Sequence, residues 1–303
     1  MSEPAATVTA LPGVRPSLLG ESPLWHAREQ VLYWSDIPGH KLNRFDPATG
    51  RHDEWPFDSD VACLAPLHEG GLIVALRRGL IRFDPATGQS TVLADAPFDT
   101  TRERFNDGKA DAAGRFWAGT IYEPRDAENA ALWRYSGGRL DRAAGGVTTS
   151  NGLAWSPDSR TMYWADTKAH RIDKLDFDLA AGTLTNRRVF HQFAPKLPGQ
   201  QLDEYGGRPD GAAVDSEGAY WVAMFEGARL LRFAADGTLL REIKLPVRCP
   251  TMPCFGGADL KALYLTTSRE NRPADELAGE PLAGCVLQLR VEVAGLAANF
   301  ARL

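Results

Sequence analysis

The sequence predicts an all-β fold, a six-bladed propeller built around a divalent-metal site, and three observations point to it. A strand-like run recurs six times at a spacing of about forty to sixty residues, the range of a four-stranded blade with insertions. Short strands and frequent turns leave no sustained helical periodicity. In four of the six repeats one slot holds an oxygen donor, namely Glu21, Asn106, Asn151 and Asp210.

The recurring run begins with Tyr33-Trp34-Ser35-Asp36. Its counterparts lie at Leu72–Leu76, Phe116–Gly119, Tyr163–Asp166, Tyr220–Ala223 and Leu263–Thr266. An amphipathic strand and a tight turn often follow. Arg44-Phe45-Asp46-Pro47-Ala48-Thr49-Gly50 is nearly duplicated by Arg82-Phe83-Asp84-Pro85-Ala86-Thr87-Gly88, with looser echoes at Arg134–Gly138 and Arg232–Gly237. Proline fixes φ and the terminal glycine accepts positive φ, so each is turn chemistry. The Pro-containing segments 195–209 and 273–281 interrupt the repeat without ending it. They read as loops in one domain spanning residues 1–303. Ring closure is expected from Ala6–Leu11 pairing with the last blade near Val286–Val293.

Counting fixes the register. Glu21 and Asn151 each lie thirteen residues before Trp34 and Trp164, and Asn106 and Asp210 lie eleven before Trp117 and Trp221. Equivalent positions of a radial repeat converge on the axis. Blade two offers only Val61 or Ala62 there, and the matching slot in blade six is assigned to Cys254. Singly, Asn-Gly at 151–152 and Asp-Gly at 210–211 read as turns. Four oxygen donors in register read as a site.

Glu21, Asn151 and Asp210 supply two carboxylates and an amide oxygen, hard ligands for one divalent ion. Ca²⁺, Mg²⁺ and Mn²⁺ suit them, with Zn²⁺ or Fe²⁺ as borderline occupants. Arg104, two residues before Asn106, is expected in the same mouth, where a guanidinium would hold carbonyl or hydroxyl oxygens. Insertions at Ile121–Ala131, His191–Pro209 and Ser268–Ala283 fall on that face, whereas Asp111–Gly114 and Asp215–Gly218 make tight connections on the other. Long loops on one face wall a pocket. Trp34, Trp117, Trp164 and Trp221 are expected to pack between blades.

The bulk properties exclude other classes. A net charge of −5 without a basic aromatic-interleaved run argues against nucleic acid and anionic membrane. Met1–Val14 lacks the pattern of a secretory signal, so a cytoplasmic location is expected. No apolar run is long enough to span a bilayer. Cys63, Cys249, Cys254 and Cys285 complete no zinc set and read as reduced thiols. There is no Gly-x-Ser-x-Gly elbow and no phosphate loop. Closed propellers expose few strand edges, and a monomer is expected.

Gly20-Glu21-Ser22-Pro23-Leu24-Trp25, Arg104-Phe105-Asn106-Asp107-Gly108-Lys109, Ser150-Asn151-Gly152-Leu153-Ala154-Trp155, Pro209-Asp210-Gly211 and Cys254-Phe255-Gly256-Gly257 occur in that order along nearly the whole chain. With them the chain resembles the SMP-30/gluconolactonase/regucalcin-like family of metal-dependent sugar lactonases. The resemblance implies one catalytic divalent ion on Glu21, Asn151 and Asp210, with Arg104 and Asn106 on the substrate. It also implies an acidic substrate contact in the blade-three loop, for which Glu123 is the candidate.

The expected activity is hydrolysis of a sugar-derived lactone, an aldonolactone such as a glucono-, xylono- or arabinonolactone, to its acid. Asp210 is the candidate base as well as a ligand. The alternatives are a metal-dependent esterase or organophosphatase on the same scaffold, and a non-catalytic calcium-binding or scaffold propeller.

Overall fold

The computed structural model describes residues 7–303, so Ala6, the expected start of the closing strand, lies outside them. Six four-stranded antiparallel sheets follow one another along the chain. Their first strands are Gly20–His26, Val61–Pro66, Glu103–Ala110, Ser150–Trp155, Arg208–Val214 and Pro250–Gly256. Each touches the first strands of both neighbouring blades, and the set closes from blade six to blade one. This is the six-bladed propeller read from the repeat.

The ring is shut by the chain's own beginning. Thr9 and Ala10 pair with Gln288 and Leu287, and Leu11 N–H donates to Val286 O at 2.9 Å. Blade six thus takes its outermost strand from the N-terminal segment and its other three from the C-terminal part.

The apolar residues divide into six clusters, one between each pair of consecutive blades. Leu24, Tyr33 and Leu42 of blade one, for example, meet Val61, Leu72 and Val74 of blade two. The four tryptophans of the register count are buried at these seams. Each indole N–H has a partner: Ser17 Oγ for Trp34, Asp111 Oδ2 for Trp117, Ser150 Oγ for Trp164 and Asp215 Oδ2 for Trp221.

Asp111 and Asp215 turn those seams into polar clamps on the face with tight turns. Asp215 is fully buried and accepts from Trp221 Nε1 at 2.9 Å, Arg232 Nε at 2.8 Å and the backbone N–H groups of Glu217 and Ala219. Asp111 repeats the pattern with Trp117, Arg115 and Ala113. Asp215→Ala strands an indole and two amides and leaves Arg232 only Glu217 as a carboxylate partner. It should cost about 3 kcal/mol or more, measurable as a lowered denaturant midpoint with activity per folded molecule retained.

The duplicated Asp-Pro-Ala-Thr-Gly segments adopt one turn. Gly50 and Gly88 stand at φ 71 and 72 and donate to Asp46 O and Asp84 O at 2.8 Å. Two features had no sequence signal. A six-residue helix, Ala274–Gly279, lies inside the blade-six insertion. The C-terminal segment crosses the tight-turn face, bridging Asp215 with Gly295 and Leu67 with Ala301. Among the described residues no helix is long and apolar enough to cross a membrane.

Candidate metal centre and active site

Every first strand breaks its register at one level. The shifts fall between Glu21 and Leu24, Val61 and Cys63, Phe105 and Gly108, Asn151 and Ala154, Pro209 and Ala212, and Pro250 and Met252. A bulge re-aims side chains that strict alternation would turn away. Glu21 and Asn151 end the regular pairing before their bulges, while Asn106 and Asp210 lie within theirs. All four are more than nine-tenths buried.

Blade six corrects one assignment. The residue at this level is Thr251, whose hydroxyl donates to Gly20 O at 2.6 Å, beside Glu21. Cys254 lies deeper, where its sulfur accepts from Trp25 N–H at 3.2 Å, four residues beyond Glu21 along blade one. Blade six lacks the tryptophan that anchors the count elsewhere, and its bulge falls at Thr251. Blade two presents Ala62 at this level, where Ser35 Oγ bridges Glu21 O and Ala62 O at 3.0 Å each.

A hydrogen-bond chain runs around one side of the axis. Arg104 donates to Asn106 Oδ1 at 2.9 Å, and Asn106 Nδ2 donates to Asn151 Oδ1 at 2.8 Å and Ser150 O at 3.0 Å. Asn151 Nδ2 donates to Thr167 Oγ1 at 2.8 Å, which donates to Pro209 O at 2.7 Å, next to Asp210. The Asn151 amide is thereby held with its oxygen accepting on the side of Asn106.

The two carboxylates are in electrostatic difficulty. Burial, then the carboxylates of Asp210 and Asp107, push the Glu21 carboxyl well above its usual range. Burial pushes Asp210 up to about 8, with Asp107 adding and Arg208 opposing. Neither forms an ion pair with a described residue. Two buried, mutually repelling carboxylates beside an oriented amide oxygen fit a divalent cation, which would supply the missing counter-charge.

Glu123 reaches the same mouth. It receives two bonds from Arg77, at 2.8 and 2.9 Å, and lies 3.6 Å from Arg104 Nε. Arg77 also bonds Asp60 at 2.7 Å, so blades two and three share a charged rim.

Sequence reasoning missed Asp107 and Thr167. Asp107 accepts from Leu153 N–H at 2.8 Å, leaves its other oxygen without a protein partner, and is buried. It stood inside the quoted Asn106-Asp107-Gly108 segment. Only the bulge, invisible to counting, lets adjacent residues both reach blade four. The channel's other end holds a largely apolar cavity of about 290 Å³, lined by Leu24, Trp155 and Lys109 among others. It contains none of the four axial donors, although Ser22, Lys109 and Asn299 line it with apolar residues.

The profile of the SMP-30/Gluconolactonase/LRE-like region matches residues 19–269. The 6-deoxy-6-sulfogluconolactonase of Pseudomonas putida is 46% identical over 286 residues, covering 93% of this chain and 94% of that protein. Regucalcin of Danio rerio is 36% identical over 276 residues, 89% of this chain and 90% of its own. The crystal structure of a calcium-binding protein, regucalcin, from Agrobacterium tumefaciens superposes with a TM-score of 0.91 at 27% identity, covering 99% of this chain and 98% of that one.

Proposed function

The chain belongs to the SMP-30/gluconolactonase/LRE-like family, and from that premise we propose that it hydrolyses a sugar-derived lactone to the sugar acid, using one divalent ion on Glu21, Asn151 and Asp210. The observation that carries this reading is the pair of buried, unpaired carboxylates converging with an amide oxygen at the long-loop end of the axis. A relative 46% identical over 286 residues bears the name of a lactonase.

A divalent ion bound there would supply Lewis acidity toward the lactone carbonyl and toward the oxyanion formed on attack. The protein's own part is placement and proton transfer. Arg104 is almost wholly buried, and its guanidinium is already fixed on Asn106 Oδ1 and Phe105 O at 2.9 Å. It presents its remaining donors to a carbonyl or hydroxyl without reorganising. Glu123, held by Arg77, accepts from a sugar hydroxyl. Asp210, ionised once the ion is bound, takes the proton of the attacking water and returns it to the departing ring oxygen. The ring C–O bond breaks as the new C–O bond forms, giving the open acid.

Chelator-stripped protein should open five- and six-carbon aldonolactones no faster than the buffer, and a single added divalent ion should restore turnover. Arg104→Ala in the reloaded enzyme should raise KM about tenfold or more, with a smaller change in kcat. Tight ion binding without turnover of any lactone would instead support a non-catalytic calcium-binding propeller, the reading suggested by the regucalcin relatives.

A further inference from the structure

Arg208 stands two residues before Asp210, as Arg104 stands two before Asn106. Alternation puts residues i and i+2 on one side of a strand. For Arg104 the expectation is met by its bond to Asn106. Arg208 is the blade-five counterpart. Blades one and four carry Leu19 and Thr149 at this position, so the axis is flanked by cations from blades three and five.

Arg208 is part of a larger wall. Glu226 binds three guanidinium groups, from Arg208 at 3.1 Å, Arg272 at 3.0 Å and Arg248 at 3.5 Å. Arg248 also pairs with Glu276 at 2.8 Å, and Glu280 accepts from its backbone N–H at 3.0 Å. Even so, the Nε–H of each of the three arginines is buried without an acceptor, and Glu276 Oε1 is buried without a donor. A buried donor left unmade costs about 1–3 kcal/mol. The three side chains stay partly exposed, at 24% for Arg208, 10% for Arg248 and 17% for Arg272, and three such cations on one wall suit a group with several anionic oxygens.

The wall is also rigidly preformed. Glu226 is held at φ 63 in its turn. The next residue, Gly227, packs so closely on the His191–Pro209 insertion that a Cβ there would lie 2.3 Å from Gly206 O. The contact of two backbones therefore sets Glu226 beside Arg208, and ion pairs to Glu226 and Glu276 hold Arg248 and Arg272.

We propose that Arg208, Arg248 and Arg272 form a subsite for a tetrahedral anionic substituent on the lactone, a sulfonate or phosphate ester remote from the carbonyl. This rests on the lactonase reading. The P. putida relative, whose name specifies a 6-sulfo sugar lactone, makes a sulfonate the first ligand to try.

The test is steady-state kinetics of the ion-loaded enzyme on glucono-1,5-lactone and on its analogues carrying a sulfonate or a phosphate at carbon 6. The wild type should favour at least one anionic lactone over the neutral one by about tenfold or more in kcat/KM. Arg208→Gln and Arg272→Gln should each shrink that ratio about tenfold through KM, and Arg272→Lys should recover part of it. The sulfonate and phosphate arms identify which anion is taken. Arg272 lies further from the ion, so its variant remains informative if Arg208→Gln misfolds. A wild type that prefers the neutral lactone, or a ratio unmoved by both Gln variants, overturns the subsite and leaves the lactonase reading standing. No turnover of any of the three lactones overturns both.

Discussion

Asp210→Asn should fold, keep its place in the bulge, and lose about a thousandfold or more in kcat/KM toward the best lactone. The substitution preserves shape at a position only 5% exposed, but removes one of the two carboxylates that balance a divalent ion. It also removes the carboxyl proposed to serve as base. Losing several kcal/mol of transition-state stabilisation corresponds to about three powers of ten or more. The two roles separate by ion titration. If saturating ion restores wild-type kcat, Asp210 is a ligand alone and the proton goes elsewhere. If kcat stays low at saturation, the base role stands. Glu21→Gln is the control: it should weaken ion binding comparably, yet recover more of kcat at high ion concentration.

The axial residues were legible because a propeller converts sequence period into geometry. Trp34, Trp117, Trp164 and Trp221 are seam residues with partnered indoles, and an offset of thirteen or eleven residues from them lands on the axis. The slot was misassigned in blade six, where Tyr264 replaces the tryptophan: Cys254, its cross-strand partner, lies only ten residues before it, whereas Thr251 lies thirteen before it. There the bulge at Thr251 decides the level, and a bulge leaves no mark in composition. Bulges also explain why Asp107 escaped notice, since alternation would turn it away from its neighbour Asn106. Arg208 could have been found from the sequence by the spacing that identified Arg104. What no spacing carries is the wall around it, which depends on Glu226, Arg248 and Arg272 meeting across three separate segments.

The same buried carboxylates should make the ion-free protein sensitive to pH. Asp210 carries its proton up to about pH 8 in the fold but only to about 3.8 when unfolded, and Glu21 is shifted in the same direction. Between those limits the folded state binds more protons than the unfolded chain, so stability falls as pH rises through the window. Ion-free protein should therefore melt at progressively lower temperature from pH 5 to pH 8. An added divalent ion displaces the proton and satisfies the charge, so its stabilisation should grow across the same interval. At a thousandfold excess over Kd it should approach about 4 kcal/mol, a rise of roughly 5–10 °C in Tm. Asp210→Asn should flatten the pH slope of the ion-free protein and raise its Tm at pH 8, because a neutral amide escapes the repulsion from Glu21 and Asp107. A function-destroying substitution that stabilises the ion-free fold marks a site held in strain for its ligand. An ion-free Tm independent of pH from 5 to 8 would mean that these carboxylates are already neutralised by the protein, and that the site does not require a cation.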